Sequence, residues 1–302
     1  MRAAVLLGYG DVDQLEIREV PEPSTGPNQI KVRMAAAGLN PIDWKLRSGV
    51  MKAVFPLEFP AILGSDASGV VVEVGSGVTA FAVGDRVMGY VSHGYAELVV
   101  ATVERWARVP DGMELVDAAA LPLALLTGAQ LIEQAVAPAA GNLLLVCGAL
   151  GSIGRVAVFL ARRRGAKVYA GVRGTQKARA ATLGADVVVA LDSDREIANL
   201  PRLDSLADTV GGAPTQKLLG RLKPGGVLGS VVGPPPGGAP HEVVVRTMST
   251  HPDSQRLAEL AREVATGALD IPIAKRFPLA EVREAQRFAL AGAGGKVLLT
   301  VD

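Results

Sequence analysis

The sequence predicts an α/β protein that contains a doubly wound parallel sheet and a second, partly open β-barrel. Strands and helices alternate from residue 143 to about residue 247, whereas residues 1 to about 120 carry short apolar runs between glycine and proline turns. Alternating strands and helices are typical of parallel sheets, and many short strands with turn signals are typical of barrels. A chain of 302 residues is also long enough for two domains.

Composition excludes several classes of protein. The net charge is +1, with 31 Lys and Arg against 30 Asp and Glu, so the chain has no excess of positive charge that would attract nucleic acid. A single cysteine excludes a disulfide framework. The apolar runs are too short for a signal peptide or a membrane span. We therefore expect a soluble, cytoplasmic protein without nucleic-acid or membrane partners.

The best-defined element is a strand, a glycine turn, a helix and a second strand within residues 143–173. The turn Gly148-Ala-Leu-Gly-Ser-Ile-Gly154 has glycines at the spacing G-x-x-G-x-x-G. In this context the spacing predicts a site for the pyrophosphate of a dinucleotide, held by backbone N–H groups at the N-terminus of the helix. The alternative is an ordinary turn with incidental glycines, since the chain has 35 of them. The predicted contacts are Gly148, Ala149, Leu150, Gly151, Ser152 and Ile153.

The other predicted elements follow from hydrophobic periodicity and turn residues. In the first part the predicted strands are 3–7, 30–36, 69–74, 86–90, 97–101 and 107–109. After a helical segment at 116–134, the predicted strands are 143–147, 167–172, 186–190, 205–210, 226–232 and 242–247, with helices at 152–164, 175–183, 214–221 and 254–266. Short strands then return around a helix at 279–291. We assign residues 1–122 and 268–302 to the first domain and 123–267 to the second.

The end of the second parallel strand predicts which dinucleotide is bound. NAD-specific sites place an acidic residue there, but this strand runs into Arg173 and no acid follows until Asp186. Arg173 could hold a 2′-phosphate through paired charge-assisted bonds, with help from Lys177 and from the Thr175 hydroxyl at an expected helix N-cap. This pattern favours NADPH. The alternative interpretation is a solvated, basic start of a helix.

Six motifs in order resemble a known family over nearly the whole chain. They are Ala36-Ala-Gly-Leu-Asn-Pro-Ile-Asp-Trp-Lys45, Ile62-Leu-Gly-Ser-Asp66 with Gly69-Val-Val71, Gly84-Asp-Arg-Val87, the glycine turn, Leu222-Lys-Pro-Gly-Gly226 and Gly295-Lys-Val-Leu298. Together they resemble the medium-chain dehydrogenase/reductase superfamily, in its zinc-free NADPH:quinone oxidoreductase branch. The resemblance implies a GroES-like catalytic domain made from both chain ends, a Rossmann domain between them, and a nicotinamide cofactor. It also implies cofactor contacts at Val210, Val232 and Lys296.

The resemblance also carries an expectation about metal. Zinc-dependent relatives have a cysteine where this chain has Asn40, and a His-Glu pair where it has Ser65-Asp66. We therefore expect no catalytic zinc. Without a metal, the acceptor has to be electrophilic already, as a quinone or an enone is.

Candidates for holding the acceptor oxygen are polar side chains and backbone N–H groups. In the family, the positions of Asn40 and Thr127 approach the nicotinamide or the substrate. Lys45 and Tyr90 are further candidates, and Asp43 either orients its neighbours or stabilises the turn after Pro41.

Three interpretations of function follow from these residues. The first is an NADPH-dependent quinone or enone reductase. The second is a pathway-specific enoyl reductase that acts on a carrier-bound or polyketide-type intermediate, and the third is a non-catalytic NADPH-binding protein. We also expect a homodimer formed by edge pairing of the parallel sheets, because Glu242–Thr247 is a strongly β-prone strand near the end of the series.

Overall fold

The computed structural model describes residues 1–301, which form two compact units. Met1–Leu123 and the stretch from Pro252 onward form the first unit, and Ala124–His251 form the second. The first unit is largely antiparallel β-structure and the second is a parallel sheet with helices. The predicted fold class is therefore confirmed.

The elements are numbered in chain order. The strands are β1 (Arg2–Leu6), β2 (Leu15–Glu19), β3 (Gln29–Gly38), β4 (Ala61–Ile62), β5 (Asp66–Val74), β6 (Arg86–Tyr90), β7 (Leu98–Thr102), β8 (Trp106–Arg108), β9 (Leu143–Cys147), β10 (Lys167–Val172), β11 (Val187–Ala190), β12 (Leu203–Asp208), β13 (Leu222–Ser230), β14 (Val244–Thr247), β15 (Ile273–Pro278) and β16 (Lys296–Thr300). The α-helices are α1 (Pro41–Arg47), α2 (Leu115–Ala118), α3 (Pro122–Gln130), α4 (Ser152–Arg163), α5 (Lys177–Ala180), α6 (Asp194–Ala198), α7 (Gly212–Leu219), α8 (Ser254–Ala265) and α9 (Val282–Leu290).

The second unit contains one parallel sheet with the strand order β11-β10-β9-β12-β13-β14. The chain moves outward from β9 in one direction and then crosses to β12 and moves outward in the other. This is the doubly wound Rossmann order, whose ligand crevice lies at the carboxyl ends of the strands where the direction reverses. The order therefore places the crevice at the ends of β9 and β12.

The first unit is held together by strands from both passages of the chain. Its larger sheet has the order β15-β16-β3-β5-β6-β8, with β7 also pairing with β3, and its smaller sheet has the order β2-β1-β4. In the pairing of β16 with β3, Leu298 lies opposite Gly38. The core between the sheets is apolar and includes Leu6, Ile30, Val32, Tyr95 and Trp106, each at most 1 % exposed.

The first domain boundary differs from the sequence-based assignment by one residue, and the second differs by more. The chain returns to the first unit at Pro252 and not at residue 268, because helix α8 packs against β8 of the first unit. Within the units, β9 and β10 begin and end where the sequence predicts. The predicted helix 175–183 is a 3-10 turn, the short helix α5 and a second 3-10 turn.

One helical stretch, Leu115–Val136, is long and apolar enough to cross a membrane by length and composition alone. Its most apolar window is 83 % buried in the structure. Such burial is typical of a core helix in a soluble protein.

Candidate active site

Three neighbouring strands of the first unit bring Gly38, Asp66 and Tyr90 into one row. Gly38 lies opposite Asp66 in the pairing of β3 with β5, and Asp66 lies opposite Tyr90 in the pairing of β5 with β6. Directly opposed residues present their side chains on the same face of a sheet. A Cβ at position 38 would overlap the Ala119 carbonyl oxygen and crowd the Asp66 carboxylate, so glycine is needed where the row is tightest.

A buried ion pair lies beside this row. The Lys296 ammonium donates to Asp66 Oδ2 at 2.8 Å, to Asn40 Oδ1 at 2.7 Å and to the Leu39 carbonyl oxygen at 3.3 Å. The second Asp66 oxygen accepts from the backbone N–H of Leu123 at 2.6 Å, in the first turn of α3. A lysine has three N–H donors, and all three are used inside the protein. This arrangement disagrees with the implied role of Lys296 as a cofactor contact, because no donor remains for a ligand.

The same network fixes the Asn40 side chain. Its amide nitrogen donates to Asp66 Oδ2 at 2.8 Å and to the Gly38 carbonyl oxygen at 3.3 Å, while its oxygen accepts from Lys296. Both amide N–H groups are therefore occupied, and the residue is only 4 % exposed. We expected this amide to donate to a substrate oxygen. As placed, Asn40 instead joins the ion pair to the start of α1, for which it is the N-cap residue.

Asp43 combines the two alternatives that its sequence left open. Its Oδ2 atom accepts from the Asn40 backbone N–H and from the Tyr95 hydroxyl, both at 2.7 Å, so it stabilises the turn and also orients its neighbours. The side chain is fully buried, and Oδ1 has no hydrogen-bond partner in the described residues. Burial raises the pKa of Asp43 to about 7, against the lowering effect of the two hydrogen bonds.

Tyr90 and Lys45 are the predicted groups of this unit that keep free donors. Neither the Tyr90 hydroxyl nor the Lys45 ammonium makes a hydrogen bond or ion pair within residues 1–301, and both residues are half-buried. Burial, followed by the negative charge of Asp66, raises the pKa of Tyr90, so its hydroxyl stays protonated near neutral pH. These two side chains can therefore donate to an oxygen that gains negative charge.

The glycine turn of the second unit has the geometry that pyrophosphate binding requires. Gly151 is the N-cap of α4, and the turn begins at Gly148, where φ is +81°. A Cβ at Gly154 would overlap the Gly148 carbonyl oxygen, so glycine lets the helix start directly against the turn. Ala149 is buried, whereas Leu150, Gly151, Ser152 and Ile153 are at least partly exposed. The residues present therefore fit a dinucleotide, with the donors of a twelve-residue helix at its phosphates.

The predicted 2′-phosphate site is only partly as expected. Arg173 is exposed, and its guanidinium makes no hydrogen bond or ion pair within the described part of the chain. Thr175 is exposed but lies inside a 3-10 turn whose N-cap is Arg173, so it is not the N-cap that we predicted. The Lys177 ammonium donates to both oxygens of Glu196 at 2.9 Å, so its charge is already paired.

The remaining predicted residues lie elsewhere in the second unit. Val210 is 52 % exposed and Val232 is half-buried, and they follow the carboxyl ends of β12 and β13. The buried carboxylate of Asp208 holds the first of these loops by accepting from the backbone N–H groups of Val210 and Gly211. The Thr127 hydroxyl lies 2.7 Å from the Thr250 hydroxyl, and both residues belong to the second unit.

The residues at the zinc-ligand positions do not fit a catalytic zinc ion. Asn40 offers an amide and Asp66 a single carboxylate, and the Lys296 ammonium already lies between them. No group of three or more His, Cys, Asp or Glu side chains that could hold a metal occurs in residues 1–301. Four-coordinate zinc needs such a group.

Sequence reasoning missed several residues of these sites. Asp66 was noted only as a replaced zinc ligand, and Tyr95, Asp192 and Glu196 were not considered. Asp192 Oδ1 accepts from the Gly174 backbone N–H at 2.8 Å. A signal for the two acids was available, because parallel pairing of β10 with β11 brings the residues that follow the two strands together.

Known proteins with similar sequences share both units. The family model described as "Alcohol dehydrogenase GroES-like domain" matches residues 26–111, and the one described as "Zinc-binding dehydrogenase" matches residues 183–299. A chloroplast envelope quinone oxidoreductase homolog of Arabidopsis thaliana is 30 % identical over 96 % of this chain and 95 % of its own. A quinone oxidoreductase of Pseudomonas aeruginosa is 32 % identical over 92 % of each chain.

Solved structures agree with this similarity. The quinone oxidoreductase from Coxiella burnetii superposes with a TM-score of 0.87 at 28 % identity, over 100 % of this chain and 99 % of that chain. An NAD-dependent alcohol dehydrogenase superposes with a TM-score of 0.88, also at 28 % identity, over 100 % of both chains.

The fold, the glycine turn and the full-length relatives define a class of NAD(P)H-dependent oxidoreductases. The chain belongs to the medium-chain dehydrogenase/reductase superfamily, in its quinone oxidoreductase branch. The resemblance seen in the sequence is thereby confirmed.

Proposed function

We propose that this protein is a cytoplasmic, metal-independent reductase that uses NADPH to reduce a quinone or an α,β-unsaturated carbonyl compound. The observation that carries the proposal is the ion pair of Lys296 with Asp66, joined by Asn40. This network fills the positions from which zinc-dependent relatives hold their metal. A substrate that needs a Lewis acid is therefore disfavoured, and an acceptor that is already electrophilic is favoured.

The nicotinamide supplies a hydride when it is bound. The chain itself has to orient the acceptor and stabilise the negative charge that develops on the acceptor oxygen. Tyr90 and Lys45 of the first unit have unoccupied donors for this task. The product takes its proton from solvent.

NADPH is favoured by Arg173, whose guanidinium is exposed and has no partner within residues 1–301. It follows the last residue of β10, where NAD-specific sites place a carboxylate. The two full-length relatives that are named quinone oxidoreductases give independent support for the acceptor class.

The test is steady-state oxidation of NADPH and of NADH with a panel of acceptors, after extensive dialysis against a chelator. The panel contains simple benzoquinones, a simple enone, a crotonyl thioester and a saturated aldehyde. We expect turnover with quinones or the enone, none with the aldehyde, and no loss on chelation. Turnover with the thioester alone would favour the carrier-bound enoyl reductase. Activity that is lost on chelation and restored by zinc would overturn the proposal.

A matched pair of variants tests the donors. Tyr90→Phe removes a free hydroxyl, whereas Tyr169→Phe removes the hydroxyl of a half-buried tyrosine of β10. Loss of a single oxyanion donor typically lowers kcat by about 10²–10³ in strong cases. We expect Tyr90→Phe to lower kcat with little change in the Kd of NADPH, and Tyr169→Phe to change neither. Equal kcat in the two variants would remove Tyr90 from the mechanism.

A further inference from the structure

Two carboxylates lie beside the predicted 2′-phosphate site, although they are far from it in the sequence. The strands β10 and β11 run parallel, and Val172 lies opposite Ala190 at their carboxyl ends. Two residues further along, the Asp192 carboxylate accepts from the Gly174 backbone N–H at 2.8 Å. Asp192 is therefore hydrogen-bonded to Gly174, the residue directly after Arg173.

The second carboxylate belongs to Glu196. It accepts both bonds of the Lys177 ammonium and also the backbone N–H of Ala190 at 2.8 Å. Arg173, Lys177, Asp192 and Glu196 together carry no net charge. Lys177 and Glu196 neutralise each other through their hydrogen bonds. The charges that remain to attract or repel a phosphate are therefore those of Arg173 and Asp192.

We propose that Asp192 is a second determinant of cofactor choice, which opposes Arg173 and limits the preference for a 2′-phosphate. The proposal rests on the proposed function, in which Arg173 grips that phosphate. Two effects act together. The first is that the Asp192 carboxylate repels a phosphate bound at the carboxyl ends of β10 and β11. The second is that it accepts the hydrogen bond of the Gly174 N–H, a backbone donor of the kind that binds phosphate. A ribose 2′-hydroxyl meets neither penalty, because it carries no charge for the carboxylate to repel and needs no phosphate-binding donor.

Asp192 could also serve only to stabilise the turn at residues 174–176. The variant Asp192→Asn separates the two roles, because the amide oxygen can still accept from Gly174 while the charge is removed. Asp194→Asn is the matched control. It makes the same change of charge two residues away, at an exposed side chain whose partner is Lys217 at 2.7 Å.

The experiment is calorimetric titration of the whole chain with 2′,5′-ADP and with 5′-AMP at low and moderate salt. For a single screened charge we expect Asp192→Asn to bind 2′,5′-ADP about three- to tenfold more tightly than the wild type. We expect the affinity for 5′-AMP to stay the same, and the gain for 2′,5′-ADP to shrink as salt rises. Asp194→Asn should match the wild type with both probes.

An Asp192→Asn variant that matches Asp194→Asn, or that gains equally for both probes, would overturn the proposal. The result is independent of the proposed NADPH preference of the wild type. If the wild type bound NADH and NADPH equally, the cofactor assignment would fail, whereas a selective gain for 2′,5′-ADP in Asp192→Asn would still identify Asp192 as the opposing charge.

Discussion

The Lys296 ammonium lies 2.8 Å from Asp66 Oδ2, and the two side chains are only 4 % and 0 % exposed. A buried carboxylate without its partner is far less stable than one that is paired, and breaking such a pair typically costs about 3–5 kcal/mol. The pair therefore controls both the stability of the first unit and the position of Asn40.

We expect Lys296→Met to lower the free energy of unfolding by about 3–5 kcal/mol, because it leaves the Asp66 charge buried and unpaired. The double variant Lys296→Met with Asp66→Asn should recover most of this loss, since no buried charge remains. Lys52→Met, at an exposed lysine, is the control. Urea unfolding of the four proteins is the measurement, and a double variant as unstable as Lys296→Met would contradict the electrostatic explanation.

Asp43 should give the first unit a pH-dependent stability. Its pKa is about 7 in the folded protein against an ordinary value of 3.8, so the folded state holds a proton that the unfolded chain releases. The contribution is therefore full below pH 3.8, falls as the pH rises, and is lost above about pH 7. Between about pH 5 and pH 8 the wild type should lose about 2–3 kcal/mol more stability than Asp43→Asn.

Urea unfolding at the two pH values measures this difference. Asp43→Asn keeps an oxygen for the Tyr95 hydroxyl and the Asn40 backbone N–H, so it removes the titration and preserves the hydrogen bonds. Asp111→Asn, at an exposed aspartate, should behave like the wild type. If Asp43→Asn showed the same dependence on pH as the wild type, the raised pKa would be wrong.

Arg173→Ala should weaken NADPH binding and leave NADH binding nearly unchanged. Hydrogen bonds to charged groups contribute roughly 1.5–3 kcal/mol, which is about a ten- to hundredfold change in Kd. Arg195→Ala, at an exposed arginine of α6, controls for the general loss of positive charge. Fluorescence titration of both cofactors checks the prediction, and a parallel loss for NADH would place Arg173 outside the 2′-phosphate site.

The parallel sheet has an exposed edge strand that we predict to form a homodimer. All four residues of β14 are exposed, and Val244 and Val245 are 43 % and 37 % exposed. An apolar, unpaired edge invites pairing with a second copy, and a lysine placed there blocks it. We expect a dimer by light scattering at micromolar concentration and a monomer for Val245→Lys.

The opposite edge of the same sheet provides the control. Val187 begins β11 and is 39 % exposed, so Val187→Lys makes the same change at the other edge. This variant should remain a dimer. A wild-type monomer, or dissociation of both variants alike, would contradict pairing through β14.

Local sequence signals predicted the parallel sheet closely and the antiparallel unit less well. Strands β9, β10 and β11 are short, mostly apolar runs, so hydrophobic periodicity locates them. Strands β12 and β13 begin earlier than predicted, because polar residues, proline and glycine interrupt the apolar pattern at their starts. Helix α1 was missed although Pro41 is its first residue, a position that proline favours. Strand β2 was missed because only its first residue is fully buried, which leaves little hydrophobic alternation to detect.

Contacts between residues that are close in the sequence are the ones that sequence patterns can anticipate. The glycine turn meets that condition, and so does the bond from the Asn40 backbone to Asp43. Lys296 and Asp66 are 230 residues apart, and Asp192 reaches Gly174 only through the pairing of two strands. A sequence gives the residue types of such contacts but not their partners, so Lys177 was assigned to a phosphate while its ammonium is held by Glu196.

The pairing of β3 with β16 also sets the order in which the protein can be completed during its synthesis. Gly38 and Leu298 are about 260 residues apart, and ribosomes add about 5–20 residues per second. For about 10–50 seconds, while the second unit is being synthesised, β3 therefore lacks its partner strand β16. Over the same time Asp66 lacks its partner Lys296. Nascent chains that end before Lys296 lack the strand that pairs with residues 36–38, and an unpaired strand edge is a template for pairing with another chain.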